Sequence, residues 1–145
     1  MSGPELTPQA IIRELGLERH PEGGWYHQTF RDVTGSTRGH STAIYYLLEK
    51  GERSHWHRVK DAAEVWHYYA GAPIALHLSM DGQETQTFTL GPDVLNGERP
   101  QVIVPMNCWQ SAKSTGEFTL VGCTVSPGFE FSSFEMAPPG WSPGS

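Results

Sequence analysis

Short strand-forming runs follow one another through most of this 145-residue chain, and every gap between them carries glycine, proline, aspartate or asparagine. β-Branched and aromatic residues concentrate in residues 25–31, 42–49, 55–59, 64–70, 74–80, 85–90, 101–104, 108–112 and 118–126. Runs this short bury too little surface alone; they must pair laterally and stack, so the pattern predicts an all-β sandwich or jelly-roll barrel. The 16 glycines and 11 prolines suit tight turns better than helix interiors. Asp81-Gly82 marks a hairpin. One helix is predicted near the N-terminus: Thr7 caps it, Pro8 takes the first helical position, Ile11, Ile12 and Leu15 form its apolar stripe, and Gly16 stops it. The length suits one domain, residues 1–137, and residues 138–145 are too rich in proline and glycine to hold a ladder and are expected to lie loose.

The formal net charge is −6 and no basic run occurs, which argues against nucleic acid or an anionic membrane as partner. No segment approaches the ~20 apolar residues of a membrane span, and the N-terminus lacks the charged-then-apolar pattern of a secretory signal. The expected setting is the cytoplasm and the expected partner a small molecule. Cys108 and Cys123 have no metal-ligand spacing and are expected to stay reduced.

Chemistry concentrates in residues 51–71. In a regular strand His55 and His57 share a face with Trp56 opposite, and the next strand can carry Glu64 alongside them. Two imidazoles and a carboxylate suit a divalent ion of borderline softness, held at about 2.0–2.2 Å. The alternative is a hydrogen-bonded histidine pair in a polar interior. A carboxylate facing a barrel interior is costly unless paired, coordinated or catalytic, so Glu64 is the leading catalytic candidate, with His57 second. By period two His67 lies opposite Glu64 and serves packing, and His77 carries no role. Trp66, Tyr68 and Phe129 are candidate ligand contacts among aromatics that otherwise fill the core.

The run Gly51, His55, His57, Glu64, Gly71 resembles the first motif of the cupin superfamily, with Glu64 six residues before Gly71. The second motif falls on Gly97, Pro105, Asn107 and Gln110, so a glutamine stands at the last metal-ligand position. His20-Pro21-Glu22-Gly23-Gly24, Glu64-Val65-Trp66-His67, Pro100 to Pro105 and Leu120 to Phe131 make the chain similar to a single-domain Cupin_5-type family of the RmlC-like cupins. Its architecture is similar to that of the dTDP-sugar 3,5-epimerases. Ala63, Gln28 and Asn107 depart from the family pattern.

The resemblance implies a cupin jelly-roll barrel (a double-stranded β-helix) with a short N-terminal helix. It also implies a homodimer, in which Glu22 and Arg31 complete a neighbouring pocket. The metal set it implies is His55, His57, Glu64 and Gln110, with Gln110 also able to orient a ligand or water. Zinc, iron, manganese and nickel are all compatible with such donors, and no organic cofactor is implied. The expected function is a small-molecule enzyme assisted by a divalent metal. The alternatives are a metal-free sugar or nucleotide-sugar epimerase or isomerase using His, Glu and Tyr, and a cupin that binds a small ligand without turnover.

Overall fold

A computed structural model describes residues 5–34 and 38–145. Helix α1 spans Pro8–Leu15, and both predicted ends are present. Thr7 Oγ1 accepts the Ala10 N–H at 3.2 Å, and Gly16, at φ 65°, sends its N–H back to the Ile12 carbonyl. The strands follow as β1(Glu18–Arg19), β2(Trp25–Arg31), β3(Thr42–Glu49), β4(Arg53–Val59), β5(Ala63–Gly71), β6(Ile74–Ser79), β7(Gln86–Leu90), β8(Gln101–Val104), β9(Trp109–Ser114), β10(Phe118–Ser126) and β11(Phe134–Met136).

They form two stacked antiparallel sheets, ordered β1-β2-β3-β10-β5-β8 and β11-β4-β9-β6-β7. Strands distant in sequence pair at the centre of each sheet, as β10 does between β3 and β5. That is jelly-roll topology. Strand alternation sends Tyr46, Leu48, Trp66, Leu76, Val121 and their neighbours into the space between the sheets, where they fill one end of the barrel. On the outer side of the first sheet, Ile11 of α1 and Leu17 just beyond its end cover Leu47 and Leu120. At the other end packing thins to Val59, Ala62 and Val125, with Phe129 against them, and the space opens into a cavity.

The sequence predicts neither β1 nor β11. Both are short and irregularly patterned, and β11 is set by pairing with β4 from Phe134↔Val59 to Met136↔His57. Residues 138–145 form no ladder, in keeping with their composition, and make contacts with the second sheet. Trp141 packs 4.8 Å from Trp109 and 6.0 Å from Trp56 between ring centroids, and Gly144 N–H donates to the Gly82 carbonyl at 2.9 Å. Cys108 and Cys123 are free and buried. Among the described residues no helix is long and apolar enough to cross a membrane.

Candidate active site

The turn between β1 and β2 brings the first acid into the barrel. His20 N–H donates to the Gly24 carbonyl at 2.9 Å and Gly23 N–H to the His20 carbonyl at 3.0 Å, closing a tight loop. Gly23 and Gly24 take φ 107° and 82°. A Cβ on Gly23 would collide with the Arg53 carbonyl oxygen, and one on Gly24 would stand 2.7 Å from that of Leu47. Only glycine lets the turn lie this close on β3 and β4. The Tyr46 hydroxyl donates to the Gly23 carbonyl, and His55 N–H donates to the Glu22 carbonyl at 2.8 Å. The Glu22 side chain is thereby buried, 8% exposed, and with Arg31 it lines the cavity of its own barrel.

A bulge in β4 brings in the second group. Ser54 pairs with Ala112, but His57 pairs with Gln110, so His55 and Trp56 together oppose Ser111 alone. The extra residue breaks the alternation and re-aims the strand. Trp56 packs toward His77 and Trp141, and His57 turns into the cavity. His55 does not join it: its Nε2 lies 3.1 Å from the carbonyls of both Ala137 and Pro138, where it ties down the C-terminal stretch.

Glu64, on the regular part of β5, points inward as alternation predicts. Behind it runs a buried chain of donors: Trp66 Nε1–H donates to Gln110 Oε1 at 2.9 Å, and Gln110 Nε2–H donates to Glu64 Oε1 at 2.8 Å.

These groups meet at a cavity of about 490 Å³. Its polar lining includes His20, Glu22, His57, Glu64 and Cys123, with Gln28, Arg31, Thr42 and Glu130 also lining it, while Tyr26, Phe129, Phe131 and Phe134 supply aromatic wall. Phe134 lies against the His57 ring, 5.3 Å between centroids and nearly parallel. Burial raises Glu22 to about 8. Glu64 is lifted by burial to about 7, with His57 opposing and Glu22 adding to the rise. Burial holds His57 below the ordinary imidazole value although Glu64 favours its charged form. It also lowers His20 to about 4, helped by His57.

The hydrogen bonds fix where the protons sit. His57 Nδ1 is 2.7 Å from the His55 carbonyl, which can only accept, so Nδ1 bears the ring proton. The lone pair on Nε2 then faces Glu22 Oε2 at 3.1 Å. That contact requires a proton, and with Glu22 raised and His57 lowered the proton rides on Glu22 at neutral pH. His20 Nδ1 accepts the Glu22 backbone N–H at 3.1 Å, so its proton is on Nε2.

The fold relatives of such a chain make a metal the natural question. Of the four donors expected from sequence, His55 faces the C-terminal stretch, and Gln110 is spent between Trp66 and Glu64. His57 offers only Nε2, which Glu22 already meets. Among the described residues no three His, Cys, Asp or Glu side chains are grouped to hold an ion. The residues present do not fit one.

The family model for the cupin superfamily described as Cupin_5 (DUF985) matches residues 9–137. The chain belongs to this family. Protein SO0799 from Shewanella oneidensis is 39% identical, superposes with a TM-score of 0.87, and the match covers 92% of this chain and 85% of that one. A hypothetical protein from Leishmania major is 30% identical with a TM-score of 0.85, covering 94% and 90%. Uncharacterized protein YML079W of Saccharomyces cerevisiae is 28% identical over 90% of this chain and 75% of its own. The cupin barrel expected from sequence is thus the fold of this chain.

Among the expected ligand contacts of this cupin, Glu22, Arg31 and Phe129 line the cavity, and Trp66 and Tyr68 do not. Trp66 is core, and the Tyr68 hydroxyl donates to the Gly71 carbonyl at 2.6 Å. Arg31 holds the rim together, donating to the carbonyls of Arg38 at 3.0 Å and Phe129 at 2.7 Å. His20, Tyr26, Phe134 and the Cys123 thiol are lining groups to which the sequence reading gives no part in a site. For His20 the signal was present: a Pro-Glu-Gly-Gly turn beside it has no reason to be so glycine-rich unless it is pressed against other backbone.

Proposed function

We propose that this cupin is a small-molecule enzyme that moves protons within one substrate, an isomerase or epimerase in class, by acid–base chemistry among its own side chains. The observation that carries this reading is the Glu22–His57 contact, one proton between two buried groups, at the same cavity as Glu64. Acids raised to about 8 and about 7 supply a proton donor and a proton acceptor near neutral pH.

In the reaction proposed, ionised Glu64 takes the proton from a carbon next to a carbonyl. The C–H electron pair moves to the carbonyl oxygen as an enolate, and the Glu22–His57 proton meets the charge that develops there. Return of a proton to carbon, on the same or the opposite face, restores the carbonyl and leaves the enzyme as it began. The cavity volume falls within the range of small-molecule pockets. Phenylalanine rings suit the C–H face of a sugar. Arg31 is the one lysine or arginine among the described residues lining the cavity, and two of its N–H groups already serve carbonyls, which favours an uncharged, hydroxylated carbonyl compound over a diphosphate.

The test is deuterium uptake from D2O next to the carbonyl in a panel of aldoses, ketoses and keto-sugars, followed by proton NMR with wild type, Glu64→Gln and His57→Asn. Uptake by the wild type that both substitutions abolish is the expected result. Binding without uptake, insensitive to Glu64→Gln, would instead mark a ligand-binding cupin without turnover.

A further inference from the structure

We infer that Trp66 and Gln110 are positioning residues for Glu64, and that they reserve its Oε2 as the oxygen that exchanges protons. The inference rests on the proton-transfer reading above and adds two residues that do not themselves line the cavity.

A free glutamine side chain can present either its oxygen or its nitrogen to a neighbour, and the two do opposite things to a carboxyl group. An amide N–H stabilises the carboxylate; an amide oxygen stabilises the protonated acid. Here the choice is made by a third residue. The indole N–H of Trp66 can only donate, so at 2.9 Å it holds the Gln110 oxygen toward itself and turns the Gln110 nitrogen toward Glu64 Oε1 at 2.8 Å. Trp66 and Gln110 are each 1% exposed, so no water competes for the amide. With Oε1 committed as an acceptor, any proton on Glu64 sits on Oε2.

The other groups facing Glu64 come from three directions: His57 on β4, Glu22 on the β1–β2 turn, and Cys123 on β10. Burial and Glu22 push Glu64 toward its neutral form, while His57, Gln110 and Cys123 pull it back. Gln110 has its orientation set by a side chain that cannot ionise. Trp66 therefore acts on Glu64 through an intermediate, 2.9 Å and then 2.8 Å of hydrogen bond away.

The experiment follows the glutamate carboxyl carbons by NMR from pH 5 to 9 in the full chain labelled at glutamate Cδ, comparing wild type with Trp66→Phe and Gln110→Leu. Glu64→Gln and Glu22→Gln assign the two buried resonances. Losing the oriented donor is expected to move the Glu64 midpoint upward by about one pH unit in either variant, with Glu22 shifted much less. A merely structural role predicts the opposite sign: a loosened core admits water, and both carboxyls fall toward ordinary values. A Glu64 midpoint that stays put or drops in the two variants overturns the inference, and near-UV circular dichroism separates a folded variant from a loosened one. Should Trp66→Phe fail to fold, Gln110→Leu carries the same prediction. No substrate is involved, so this result stands or falls apart from the deuterium test: a raised Glu64 midpoint without isotope uptake would leave the positioning intact and remove the proposed reaction.

Discussion

The Nε2 of His57 stands 3.1 Å from Glu22 Oε2 while the opposite nitrogen of the same ring is held at 2.7 Å by the His55 carbonyl. The backbone of a neighbouring residue thus decides which imidazole nitrogen meets the acid. Both partners are buried, so the proton between them is a property of the fold and its energy depends on pH.

Stability should fall as pH rises from about 6.5 to 8.5. Glu22 and Glu64 have folded-state values raised from 4.5 to about 8 and about 7, so the folded protein binds more protons than the unfolded chain, and their contribution drains away as pH climbs through those values. His57 and His20 are lowered and act in the opposite sense, but only below the ordinary value of 6.5. One fully differential proton is worth about 1.4 kcal/mol per pH unit. Thermal melts across this window should show a declining Tm that Glu22→Gln flattens; a wild-type Tm that climbs with pH would contradict the assignment.

Glu64→Gln should leave Tm at pH 8 unchanged or raise it, because it removes a carboxylate that burial disfavours while keeping its shape. The same variant should lose at least 100-fold in isotope exchange if Glu64 is the base. A large drop in Tm would make Glu64 a structural partner instead.

At Gly23, alanine meets both a φ of 107° and the Arg53 carbonyl. Gly23→Ala should cost at least about 2 kcal/mol, measured by urea unfolding, and should return Glu22 toward an ordinary carboxyl value as the turn lifts. Gly16→Ala is the control, since nothing lies within 4 Å of a Cβ there and the cost is that of φ alone.

His55→Ala removes side-chain contacts to the Ala137 and Pro138 carbonyls and none to the cavity. The expected loss is about 1 kcal/mol. Hydrogen exchange should quicken near Ala137 and Trp141, while the Glu22 and Glu64 titrations stay in place. Loss of metal binding on this substitution would revive the metal set expected from sequence.

A homodimer remains the expected assembly. Among the described residues β1 pairs only with Trp25 and Tyr26, so the rest of β2 presents an open edge, with Phe30 on it and Val33 just beyond it exposed. A second copy across a two-fold axis would cover it. Sedimentation at micromolar concentration should give about twice the 16.1 kDa chain mass; a clean monomer would refute this.

The strands were legible wherever alternation ran undisturbed. Glu64 and Trp66 point inward and His67 outward, to Thr124 and Gln101, because β5 is regular there. The helix was legible from Thr7, Pro8 and Gly16 because capping is local chemistry. His55 was misread for the converse reason: the bulge is a mismatch of length between β4 and β9, and neither strand carries it in its own pattern. The inward turn of Glu22 depends on contact with Arg53 and Leu47, more than twenty residues away, and Phe134 entered the cavity wall on a strand whose existence is owed to its partner.

The same bulge lets one strand serve both the cavity and the tail. Ser54 and His57 both face inward opposite Ala112 and Gln110, and the extra residue between them gives β4 two neighbouring outward side chains, His55 and Trp56, that both grip the C-terminal stretch. Deleting one residue between Ser54 and His57 would restore simple alternation and keep the imidazole inward, two places after Ser54 and opposite Gln110, but it would remove one of the two side chains that hold the C-terminal stretch. In descent, then, a dropped codon here would loosen the clasp on the tail before it touched the chemistry of the barrel.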